Sequence, residues 1–119
     1  LRRLDLKNYT FSVPDQKGVI KFNTYNFKKT LEDILPHHGL GLNGSELLDA
    51  IEVVTKLEKV VGNEIILSES DYRLIIKTCE KFRGFQKFDD KFLERIYNCP
   101  IIPDEVLKFP DNGNGKVKK

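Results

Sequence analysis

Glycines and prolines set the ceiling on what this chain can build. Pro14 with Gly18, Pro36, Gly39, Gly41 and Gly44, then Gly62, Gly84, and Pro100 with Pro103 cut it into short stretches. Proline fixes φ and removes a backbone donor, while glycine ends helices or admits positive φ, so each marks an element boundary. No apolar run approaches the roughly 20 residues that cross a bilayer. A chain of 119 residues divided this way reads as short elements around one core, at a size where folding buries about two-thirds of the unfolded surface.

Between the boundaries, the apolar spacing assigns the elements. Tyr9, Phe11 and Val13 alternate with Thr10 and Ser12, the period-two pattern of a half-buried strand. The turn residues from Pro14 to Gly18 then return the chain through Val19-Ile20-Lys21-Phe22 as a hairpin. Phe27, Leu31, Ile34 and Leu35 form a helical stripe capped by Thr24 or Asn26 and stopped by Pro36. Asn43 and Glu46 have capping-box spacing, ahead of a longer helix with Leu47, Ala50, Ile51, Val54, Leu57 and Val61 on its apolar stripe. Glu64-Ile65-Ile66-Leu67 is β-branched and short, and is expected to join the hairpin as a third strand. Ser68 caps a helix that buries Tyr72, Ile75, Ile76, Cys79 and Phe82. A last helix from Asp89 to about Tyr97 presents Phe92, Leu93, Ile96 and Tyr97.

The fold class is therefore α+β, a small N-terminal β-hairpin plus a short third strand packed against about four helices. Residues 1–8 read as an N-terminal arm, 9–103 as a single α+β domain and 104–119 as an extended C-terminal tail. The arms are expected to order on binding.

Net charge is +2, but Arg2, Arg3, Lys116, Lys118 and Lys119 carry five positive charges at the ends, leaving −3 on the body. Ordinary nucleic-acid readers carry a basic face on the folded body. Cys79 and Cys99 lack C-x-x-C spacing or a neighbouring histidine and read as free, buried thiols. The opening residues carry no apolar signal core, so the expected setting is soluble and unexported.

Motifs that could carry chemistry are weak. His37 and His38 are adjacent in a loop, and neighbouring side chains point apart, so one metal ion does not take both. Asp89-Asp90 with Glu94, and Asp104-Glu105, are explained by helix capping and first-turn acids. The stretch from Asp111 to Gly115 lacks the acid that a calcium loop needs at its twelfth position. The glycines before the second helix follow a helix rather than a strand and lack the Gly-Lys-Ser/Thr ending of a phosphate cradle. No metal, no cofactor and no catalytic residue is assigned, and the expectation is a protein that is not an enzyme.

The informative feature is aromatic and basic. Phe82, Phe85, Phe88 and Phe92 interleave with Lys81, Arg83, Lys87 and Lys91. The rings read as core contacts between two helices joined by a short loop, and as protein-binding hot spots where they emerge. Phe82, Arg83, Phe85, Lys87, Phe88 and Phe109 are the candidate partner-binding residues. An alternative is a small nucleic-acid-binding regulator that uses Lys81, Arg83, Lys87 and Lys91 with Phe85 as a stacking ring.

The phrases Gly41-Leu42-Asn43-Gly44-Ser45-Glu46-Leu47-Leu48, Ile65-Ile66-Leu67-Ser68-Glu69-Ser70-Asp71-Tyr72 and Tyr97-Asn98-Cys99-Pro100 resemble small uncharacterised proteins of tailed bacteriophages and prophages. That resemblance implies a virion structural or assembly component, in the host cytoplasm or the virion. Its partners would be other protein subunits in a repeated virion lattice or a homo-oligomer, with nucleic acid not favoured and no membrane. It carries over no site residue.

Overall fold

A computed structural model describes residues 1–103. Phe109 and the predicted 104–119 tail lie outside the described residues. Strand β1 (Arg2–Asp5) is followed by β2 (Tyr9–Pro14), β3 (Ile20–Tyr25) and helix α1 (Phe27–Ile34). A 3₁₀ turn at His38–Leu40 leads to α2 (Gly44–Glu58), β4 (Glu64–Leu67) and α3 (Glu69–Lys81). A second 3₁₀ turn at Lys87–Asp89 opens α4 (Asp90–Tyr97). The α+β class and its four helices follow the sequence pattern.

Local chemistry sets the starts. Asn26 rather than Thr24 caps α1, its side chain accepting the Lys29 N–H at 3.0 Å. Asn43 accepts the Glu46 N–H at 2.9 Å, and the Glu46 carboxylate accepts the Asn43 N–H at 3.0 Å, completing the box that opens α2. Ser68 accepts the Asp71 N–H at 3.1 Å to start α3.

Two expectations about the strands need correction. The third strand does not join the hairpin: β4 pairs antiparallel with β1, Arg2 opposite Leu67 and Asp5 opposite Glu64, so there are two separate two-stranded sheets. Residues 2–5, predicted as part of an arm, are therefore a strand. Leu4 and Leu6 alternate into the core at 1% and 4% exposure. On the other side of β1, the Arg3 N–H donates to the Pro100 carbonyl, the Ile102 N–H to Leu1, and Arg2 bridges Ile101. A four-residue segment with one apolar face is too short for its alternation to stand out in sequence.

The core gathers Leu4, Leu6, Phe27, Leu31, Leu35, Ala50, Val53, Leu57, Leu67, Ile75, Phe92 and Ile96 from β1, β4 and all four helices. The stripe of α2 is rotated from its predicted place, burying Ala50, Val53 and Leu57 while Leu47 and Ile51 face solvent. Val61 falls beyond the helix end and is fully exposed.

Candidate functional site

The β2–β3 hairpin leaves the core beyond Phe11 and carries apolar side chains outward. Asp15, Gln16, Lys17 and Gly18 form its turn. Gly18 sits at φ 80°, and its N–H donates to the Asp15 carbonyl at 3.0 Å. That left-handed position strains any residue with a Cβ. The Asp15 carboxylate accepts from the Lys17 and Val19 amides at 2.8 and 2.9 Å, closing the turn. Beyond the base, Val19, Ile20 and Phe22 are 56%, 60% and 75% exposed. Exposed apolar side chains scattered singly need no explanation, whereas a cluster on one projecting element does.

The base of the hairpin is tied to the loop before α4. The Tyr9 and Tyr25 rings stack with centroids 4.5 Å apart. The Tyr25 hydroxyl donates to the Asp89 carboxylate at 2.5 Å, and the Gln86 N–H donates to the other carboxylate oxygen at 2.8 Å. Burial, and then the bond to Asp89, push the Tyr25 phenol well above its ordinary range. The Tyr9 hydroxyl donates to the Phe88 carbonyl at 3.0 Å and accepts the Phe92 N–H at 3.1 Å. Burial raises its phenol too. These bonds hold residues 86–91 beside β2 and create a groove of about 590 Å³ between them. Residues 9–14 of β2 form one wall, Gln86, Lys87, Asp90 and Lys91 the other, and Phe88, stacked on Phe11 at 4.9 Å, the floor.

The candidate residues divide over this geometry. Phe88 and Lys87 line the hairpin groove together with Lys91. Phe82 and Phe85 are partly buried and turn away from it: Phe82 packs edge-on against Phe85 at 4.9 Å and against His37 at 5.3 Å, and Phe85 reaches Phe92. Arg83 is exposed and lines neither. Lys81 lies on a different cleft, between α2 and α3, lined also by Leu42, Ala50 and Leu74. The four cations proposed for phosphate contact are thus not gathered on one face. The sequence marks Tyr9, Phe11, Val13 and Phe22, which form most of the apolar groove, only as hairpin residues. Their alternation predicts a strand but not the element that covers one face of it.

His37 and His38 do not point apart as expected but stack at 4.7 Å, because the chain turns there into the 3₁₀ segment, and the Gly39 N–H donates to His37 Nδ1 at 3.0 Å. His37 shares a shallow cleft with Asp33 and Asp89. Asp89 there is already held by Tyr25 and Gln86. Among the described residues no three histidines, cysteines or acids come together in a metal-binding group. Cys79 and Cys99 are free and buried, and burial pushes the Cys79 thiol up to about 12. No described helix is long and apolar enough to cross a membrane.

The chain matches no family model, no curated protein and no solved structure.

Proposed function

We propose that the chain is a non-catalytic protein–protein interaction module that docks through the outer β2–β3 hairpin and the aromatic groove at its base. The setting implied by the phage resemblance is a virion or its assembly. The observation that carries the reading is the grouping of Val19, Ile20 and Phe22 on the outer part of the hairpin, beyond Tyr9, Phe11 and Tyr25, which pack into or on the core. Folding gains almost nothing from these side chains, whereas a partner that covers them gains about 25 cal/mol for each Å² of apolar surface removed from water. The rigid aromatic base sets the direction in which the tip projects, reducing the ordering that binding requires.

A photo-crosslinking amino acid placed at position 22, and at position 83 as a control, tests the reading in cells that express the chain. Discrete protein adducts are expected from position 22, and the Ile20→Ser change should reduce them. The chain carrying both Ile20→Ser and Phe22→Ser should fold with stability within about 0.5 kcal/mol of the parent, since neither side chain is buried. Adducts to nucleic acid alone, or none at position 22, would refute the reading.

A further inference from the structure

We infer that the groove beside β2 is a strand-addition site, taking an extended, acidic peptide segment of a partner protein that pairs with the free edge of β2. The inference rests on the docking role and specifies its chemistry.

The backbone identifies the occupant. Strand β2 pairs only with β3 among the described residues, with Tyr9 opposite Tyr25, Phe11 opposite Asn23 and Val13 opposite Lys21. The Asp15 N–H donates to the Val19 carbonyl at 2.8 Å, making 15 and 19 a hydrogen-bonded pair. In an antiparallel ladder such pairs alternate with non-bonded ones. Residues 13, 11 and 9 therefore turn their amides and carbonyls toward β3, and residues 14, 12 and 10 turn theirs outward. Pro14, which has no N–H to offer, occupies an outward position, the place where a strand tolerates proline. Thr10 and Ser12 then present an N–H and a carbonyl each along the open side, with the Pro14 carbonyl beyond them. An extended backbone satisfies that row, as in β-augmentation, and Pro14 ends the register.

The walls select the side chains. Phe11 and Phe88 offer stacked rings to an apolar residue on the incoming strand. The rim carries the Lys87 and Lys91 ammonium groups against one carboxylate, Asp90, whose Oδ1 accepts the Lys91 N–H at 2.7 Å. Acidic side chains on the incoming segment complement that rim. A second copy pairing edge to edge would bring its own Lys87 and Lys91 against these, and would have to fit its own 86–91 loop opposite the first. A bare extended segment meets neither obstacle.

The probe is an acetylated, amidated seven-residue peptide of alternating valine and glutamate. It is compared with its valine–lysine counterpart and with a version N-methylated on alternate amides. In the free chain the Thr10 and Ser12 amides should exchange with solvent rapidly. The glutamate peptide should slow both, while the lysine peptide binds roughly tenfold more weakly at low salt and the N-methylated one not at all. Ser12→Pro removes an outward donor without touching the β3 ladder and should abolish peptide binding, while Ile20→Ser, at the tip and outside the groove, should leave it unchanged. Absence of protein adducts from position 22 with peptide binding present would instead refute the tip-docking reading. The proposal falls if the glutamate peptide leaves the two amides unchanged at millimolar concentration, if Ser12→Pro binds like the parent, or if both amides are already protected in the free chain, whether by dimerisation or by the chain itself.

Discussion

Replacing Tyr25 by phenylalanine deletes one hydroxyl and keeps the ring that stacks on Tyr9, so it isolates the bond that ties the hairpin to the α4 approach. That bond joins a phenol 5% exposed to a carboxylate 9% exposed, at 2.5 Å. Hydrogen bonds to charged groups contribute about 1.5–3 kcal/mol, and a buried acceptor left without its donor adds its desolvation. Asp89 keeps the Gln86 amide and borders the His37 cleft, from which water can reach it. The expected loss is therefore about 2 kcal/mol rather than the upper limit. For a domain near this size that is a fall of about 10 °C in Tm, or about 1.3 M in the urea midpoint at a slope of about 1.5 kcal/mol per molar. Tyr9→Phe is the internal comparison. Its hydroxyl joins two neutral backbone groups at 3.0 and 3.1 Å from a half-buried position, and should lose about 1 kcal/mol. Urea unfolding followed by far-ultraviolet circular dichroism measures both at unchanged slope. A Tyr25→Phe loss below about 0.5 kcal/mol, or smaller than that of Tyr9→Phe, would show that the Asp89 link does not anchor the hairpin.

Phe92→Ala should lose about 3–5 kcal/mol, because the fully buried ring touches Tyr25, Phe27 and Phe85 and its removal leaves a cavity; thermal unfolding reads this directly. Alkaline stability should report on Cys79. The folded chain holds that proton up to about 12 against an ordinary value of 9.0, whereas the unfolded chain releases it near the lower figure. Stability supplied by the neutral thiol is thus complete below pH 9.0 and declines as pH rises toward 12. Cys79→Ala should flatten that part of a urea-midpoint-against-pH curve, and an unchanged curve would refute the assignment.

Capped helix starts and turn residues were legible because they act within a few positions of the chain. Asn43 with Glu46, Ser68, Pro36 and Gly18 all mark boundaries that the structure keeps. Long-range partners were not legible. Nothing in Arg2–Asp5 or Glu64–Leu67 names the other as its neighbour, and a hairpin with its own alternation offers an equally plausible mate. The candidate site divides the same way. Spacing singles out Phe82, Phe85 and Phe88, but only the fold turns the first two toward His37 and Phe92 and leaves the third beside Phe11. Ile20 and Phe22 fit a return strand equally well with their side chains covered or bare.

The first strand has a consequence for biosynthesis. Its residues leave the ribosome well before β4 and the segment from Cys99 to Ile102, which make their seats. Until that last segment has emerged, Leu4 and Leu6 have no complete interior to enter, and the nascent chain carries them uncovered. The strand therefore waits for partners about sixty and more than ninety positions downstream, and it is locked in place only once they have been made.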